Sequence, residues 1–143
     1  MNRALAGLLC ALLAACASAP LAPPVNDSLY RQLGGEAGIS ALVEELIVRA
    51  VENPRIGDHF ASTDLIQLHQ RLSEQICVEA GGPCRYSGLS MEDAHAGMDL
   101  TEADFNALVE DLIDAMEALE VPVRTQNRLL ARLAPMRPQI IHR

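Results

Sequence analysis

Apolar residues recur at intervals of three and four through every long segment of this chain, and that spacing constrains the fold more than any other feature. Phe105, Leu108, Val109, Leu112, Ile113, Met116 and Leu119 fall on one face of a helix; Ile39, Leu42, Val43, Leu46, Ile47, Ala50 and Val51 fall on one face of another. The same spacing in a strand would scatter these side chains over both faces of a sheet. No stretch shows the alternation of a half-buried strand, and no internal repeat is present. Aromatic residues make up only 3% and Trp is absent. The core must therefore be built from Ala, Leu, Val, Ile and Met, a mixture that favours helices over sheets. A length of 143 residues allows one all-α domain at most.

Turn and cap residues divide the chain into four main helices. Gly34-Gly35 follows a short turn over Leu29 to Leu33, and Asn53-Pro54 ends the first long helix, because the residue before a proline is driven out of helical geometry. Phe60 lies in a short connection. Ser62-Thr63-Asp64 offers an N-cap for a helix from about Leu65 to Ala80, with Leu65, Leu68, Leu72 and Ile76 as its apolar positions. Gly81-Gly82-Pro83 stops it, and residues 84–90 form a loop. Ser90 and Asp93 form a capping box for a short turn carrying His95, which Gly97 releases. Thr101 and Asp104 cap the next helix. The last runs from about Val123 to Ala134, with its continuation past Pro135 left open.

The first residues read as a targeting segment. Arg3 precedes an apolar run from Ala4 to Ala15, which has the length of a signal-peptide core and is too short to span a bilayer. Leu13-Ala14-Ala15-Cys16 resembles a bacterial lipobox. The resemblance implies a signal peptide over residues 1–15 and a lipidated Cys16 as the new N-terminus. With Ala17 rather than Asp next, it implies an anchor in the outer membrane of the bacterial cell envelope, on the periplasmic side. Several acyl chains, at about 0.8 kcal/mol per buried methylene, hold such a protein stably. An ordinary secretory signal cut after Ala15 or Ala19 is the alternative. Residues 16–26, with prolines among small residues, form a flexible tether, and the folded domain spans residues 27–143.

The net charge of −8 is spread along the helices, every basic residue is Arg, and nucleic-acid binding is excluded as a function class. Cys77 and Cys84 would meet an oxidising compartment in the periplasm. One lies near a helix end and the other beyond a Gly-Gly-Pro turn, so a disulfide and two buried free thiols both remain open.

His95 carries the functional reading. A histidine on a short, separately capped turn can direct an imidazole nitrogen into a pocket between helices, and imidazole is the commonest proximal ligand of haem iron. A lone histidine is more often a surface or hydrogen-bonded core residue. The surrounding motifs reverse that preference. Leu29-Tyr30-Arg-Gln-Leu33-Gly34-Gly35, Asn53-Pro54-Arg-Ile, Phe60, Gly81-Gly82-Pro83-Cys84-Arg-Tyr86-Ser-Gly88, Met91-Glu-Asp-Ala-His95-Ala-Gly97 and Leu100-Thr101-Glu-Ala-Asp-Phe105 fall in order. Together, over residues 28–141, they resemble a group-one truncated haemoglobin.

That resemblance implies a two-over-two helical sandwich around one b-type haem, with His95 on the iron. Phe60 would pack on the haem face, and Met91, Leu100 and Phe105 would contact its proximal side. Arg71 matches a position that pairs with a haem propionate, with a solvated helix-face charge as the plainer reading. Tyr86 matches a tyrosine near the haem edge, where a structural role is equally open. On the distal side the chain departs from the family. Ile47, Leu68 and Leu72 stand where a Tyr and one or two Gln commonly stand. Oxygen bound at a ferrous haem carries negative charge on its outer atom. A donor in a dry pocket stabilises that charge by about 1–3 kcal/mol. Without one, oxygen should leave fast, while carbon monoxide and nitric oxide depend less on it. His59 and His69 are expected at the surface or facing a propionate, and His142 is given no role.

The function that follows is reversible binding of oxygen or another diatomic gas, not enzymatic chemistry. There is no Gly-rich phosphate loop for a flavin or nicotinamide, so any reductase would be a separate protein. A distal acid–base group for peroxidase chemistry is missing. The competing reading is a haemless helical lipoprotein that uses the scaffold for protein contacts or sensing. The histidines lack the close spacing of a zinc site.

Overall fold

The structure is a computed structural model that describes residues 28–143; the expected signal peptide, Cys16 and the whole of the tether lie outside the described residues. Six α-helices follow one another: α1 (Leu29–Gln32), α2 (Gly35–Glu52), α3 (Leu65–Glu79), α4 (Met91–Ala94), α5 (Glu102–Ala118) and α6 (Val123–Leu133). Two 3-10 segments span Gly57–Phe60 and Ala134–Gln139, and the described residues contain no strand.

The caps are those the sequence offers. The Asp64 side chain accepts the backbone N–H groups of Ile66 and Gln67, satisfying two of the orphan donors at the start of α3. Thr101 and Asp104 close a reciprocal capping box on α5. Between α1 and α2 the chain turns sharply at Gly34, φ 85°. The approach is so close that a Cβ on Gly38 would lie 2.0 Å from the Leu33 carbonyl oxygen. The last helix does not continue past Pro135 as an α-helix. The chain tightens into a 3-10 segment that carries Pro138, where a missing N–H disrupts fewer backbone bonds.

α2 is the centre of the molecule, packing on both α3 and α5, while α6 packs on α1 and α3. Leu42, Val43, Met116 and Leu129 are fully buried in the resulting core. Val51, Leu65 and Leu119 instead stay 39–41% exposed, because each sits at a helix end where the apolar stripe runs past the core. At the C-terminus of α2, the Asn53 amide donates to both oxygens of the buried Asp111 carboxylate at 3.0 and 2.9 Å, tying α2 to α5.

Cys77 and Cys84 form a disulfide, with Cα atoms 5.9 Å apart, so the free-thiol alternative falls. The turn between them brings the two cysteines into range because Gly81 adopts φ 76° and Gly82 has no side chain. A Cβ on Gly82 would lie 2.5 Å from the Tyr30 ring and 2.6 Å from Cys77 Sγ.

Candidate functional site

A cavity of about 620 Å³ opens beside the core, within the range of about 300–1,000 Å³ common for small-molecule and cofactor sites. All ten residues singled out from the sequence line it. α2 contributes Ile47, and α3 contributes Leu68, Arg71 and Leu72. Phe60 comes from the turn before α3, and Tyr86 from the loop after it. Met91 and His95 come from α4 and its C-cap, Leu100 from the following loop and Phe105 from α5. Leu68, Leu72 and Phe105 are only half-buried. Their apolar faces cover the cavity instead of closing against one another.

His95 is held by its own short helix. Ser90 caps α4, its hydroxyl accepting the Asp93 N–H at 3.1 Å and donating to the Asp93 carboxylate at 2.7 Å. At the other end His95 Nδ1 lies 2.7 Å from the Met91 carbonyl oxygen. A carbonyl only accepts, so in the neutral ring the proton sits on Nδ1 and Nε2 carries the lone pair. Gly97, φ 79°, then turns the chain away.

Arg71 and Tyr86 meet in a polar cluster at the cavity's edge. The Arg71 guanidinium pairs with Glu74 at 3.1 Å and also touches the Ser87 hydroxyl. Glu74 accepts the Ser87 N–H at 2.9 Å and its hydroxyl at 2.8 Å. These bonds, the backbone one foremost, hold the Glu74 carboxyl well below its ordinary 4.5, at about 2. Tyr86 donates to the Leu89 carbonyl at 2.8 Å, and partial burial raises its phenol pKa.

The other histidines divide. His59 lines the cavity, its Nε2 3.9 Å from the Asp104 carboxylate. Asp104 titrates low, mainly through its bonds to the Thr101 hydroxyl and N–H. His69 does not line the cavity and is not a free surface group. Its Nε2 lies 3.1 Å from the Ser40 carbonyl, a bond that fastens α3 to α2 and corrects the expectation of a surface or propionate-facing residue. His142, given no role from sequence, bonds through its backbone to Leu100. Sequence reasoning also missed Gln75, Met98, Leu108 and Ile140 as lining residues. Leu108 was legible, one turn after Phe105 on the same helix face. Ile140 carries no sequence signal, because only tertiary folding brings the tail back.

The donor set is that of a site for a prosthetic group. Among the described residues no three His, Cys, Asp or Glu side chains gather to hold a bare ion. One imidazole with an open lone pair, set among apolar walls, suits a metal that brings its own equatorial ligands. A helical sandwich built around such a pocket is a globin. The bacterial-like globin family model matches residues 28–142, and the chain belongs to that family, among its group 1 truncated haemoglobins.

The relatives are diverse. The chain is 30% identical over 113 residues to the group 1 truncated haemoglobin of Mycolicibacterium paratuberculosis, covering 79% of this chain and 83% of that one. It is 28% identical over 117 residues to that of Nostoc commune, covering 82% and 99%. Among solved structures, the Fe(III) form of the Tetrahymena pyriformis truncated haemoglobin superposes with a TM-score of 0.78 at 26% identity, covering 80% of this chain and 98% of that one. A Synechococcus 2/2 haemoglobin, in the cyanomet state with covalently attached haem, gives a TM-score of 0.75 at 26% identity, covering 81% and 99%. The expected two-over-two globin fold is therefore the fold observed.

Proposed function

We propose that the cavity holds one b-type haem and that the protein reversibly binds a diatomic gas there. The observation that carries this reading is the Nδ1 bond from His95 to the Met91 carbonyl, which leaves Nε2 as the ring's only lone-pair nitrogen. An axial ligand of iron must present such a lone pair, and the carbonyl bond fixes both tautomer and ring plane. Phe60, Met91, Leu100 and Phe105 would pack against the porphyrin, and Arg71 would neutralise a propionate at the edge where Tyr86 stands. Bound there, haem would supply the iron at which a gas coordinates.

The gas would enter beside Ile47, Leu68 and Leu72, none of which carries a hydrogen-bond donor. A ligand that gathers negative charge on its outer atom gains nothing from such a wall. That wall favours nitric oxide or carbon monoxide over tightly held oxygen, and binding over chemistry; of the polar lining residues, His59 faces Asp104 and Gln75 donates to the Met91 and Met136 sulfurs. Electrons to restore ferrous iron would come from a separate reductase. The lipobox-like Leu13-Ala14-Ala15-Cys16 supports an anchor at Cys16 that would hold this globin on the periplasmic side of the outer membrane. Labelling with a radioactive fatty acid that is lost in Cys16→Ser tests the anchor, and an unlabelled wild type sinks it.

The purified domain should take up one haem per chain and show a Soret band, and rapid mixing should show fast oxygen release. A domain that gains no Soret band on reconstitution overturns the haem reading. Oxygen release as slow as in a globin with a distal tyrosine overturns the gas preference.

A further inference from the structure

The stretch after His95 is not held by its own helix. α4 ends at Ala94, and residues 96–100 carry no helical hydrogen bonds of their own beyond the Met98 N–H bond to the His95 carbonyl. The tail comes back across this gap. The Asp99 N–H donates to the Arg143 carbonyl at 3.0 Å, and the His142 N–H donates to the Leu100 carbonyl at 2.9 Å. The two segments thus pair backbone to backbone over a separation of more than forty residues. The pairing lies directly beside the cavity, since Leu100 and, from the tail, Ile140 both line it.

Two further observations point the same way. Asp99 and His142 both sit at positive φ, 46° and 56°, without being glycine. Such conformations persist only where surrounding structure over-determines them, and here the two residues face each other, His142 Nδ1 lying 3.4 Å from Asp99 Oδ1. The tail also grips α4 from its other side. The Gln75 amide donates to both Met91 Sδ, at 3.1 Å, and Met136 Sδ, at 3.2 Å, and Arg143 lies 3.6 Å from Glu92. His95 is therefore fixed at both ends of its turn by residues 136–143.

We propose that residues 136–143 form a strap whose role is to position His95 toward the iron. The proposal rests on the haem reading above. His142 and Arg143 act through the loop they pair with, and touch neither haem nor gas. A ligand's supporting shell commonly changes metal affinity by about 10–100-fold when it is removed, and the strap supplies that support from the far end of the chain.

The test compares wild type with a chain ending after Ile141, which loses both backbone bonds but keeps the cavity-lining Ile140, and with His142→Gly. Glycine keeps the N–H that bonds to Leu100 and tolerates positive φ. In the haem-loaded proteins the shortened chain should lose haem to apomyoglobin at least about tenfold faster. Its ferrous iron–histidine stretching band should shift or broaden in resonance Raman spectra, and His142→Gly should match wild type in both. An unmoved band, with unchanged haem loss, overturns the strap. In the chain without haem, the amides of residues 95–100 should exchange faster after shortening, while those of α2 and α5 stay as in wild type. Uniformly faster exchange would show a general loss of stability and overturn the positioning role. A wild type that takes up no haem defeats the haem reading alone, and the exchange comparison still decides whether the strap holds the loop.

Discussion

A single hydrogen bond decides what His95 can do. With Nδ1 donating to the Met91 carbonyl at 2.7 Å, the ring cannot turn its lone pair elsewhere without losing that bond. His95→Ala should therefore abolish the Soret band of the reconstituted domain, while the far-ultraviolet circular dichroism stays helical; a retained band would place the iron ligand on another residue. At the same scale, Ile47 is buried to 8% exposure and lines the cavity, so its replacement puts a new group into the pocket and not into solvent. Ile47→Tyr introduces one donor, worth about 1–3 kcal/mol to a charged ligand atom. Oxygen release should slow by roughly one to two orders of magnitude, and carbon monoxide release much less. Equal slowing of both gases would mean that the tyrosine acts by bulk.

The loop from Cys84 to Ser90 links α3 to α4 and is fixed to α3 at two points, the Cys77–Cys84 disulfide and the Glu74 carboxylate under Ser87. Folding lowers the Glu74 pKa from 4.5 to about 2. The clamp is therefore fully present above about pH 4.5 and is lost as the pH falls toward about 2. Hydrogen exchange at the Ser87 amide should accelerate over that window, and Glu74→Gln should flatten the dependence. The disulfide closes only a short loop, sequence separation 7, so its contribution is small for its kind, about 2–3 kcal/mol. Reduction by a dithiol, or Cys84→Ser, should lower the urea midpoint accordingly; coincident midpoints would show that the loop holds without it. These elements also mark how far the sequence could be read. Helix positions and the Ser90, Thr101 and Asp64 caps followed from spacing and side-chain type, because those are local; the cavity-lining set came from the resemblance to a group-one truncated haemoglobin. The disulfide, the bond from His69 to Ser40 and the return of the tail to Leu100 each depend on where distant segments meet. Local periodicity contains no such information.

At the scale of the whole molecule, core and cavity share a wall at Leu46 and Ile47, but the centre of the core lies away from the cavity. Leu42, Val43, Met116 and Leu129 are fully buried in the large core cluster, and none lines the cavity. Phe60 packs only on the small cluster of Ala50, Ile56 and Ala107, and Leu108 bridges it to the large one. Both are half-buried and face the cavity. A prosthetic group bound in the native state adds stability by mass action, on top of whatever the helical core already supplies. Two substitutions should therefore behave in opposite ways. Met116→Ala leaves a void at the centre and should cost about 2–5 kcal/mol of unfolding free energy, with haem loss from the folded protein near the wild-type rate. Phe60→Ala removes part of the cavity wall. It should speed haem loss while changing the stability of the haem-free chain far less, since a half-buried ring leaves less of a void. Urea unfolding without haem and haem transfer to apomyoglobin, measured on both variants, check the division. If Met116→Ala released haem as fast as Phe60→Ala, the core and the pocket would be one cooperative unit, and the cavity walls would owe their shape to the bound group.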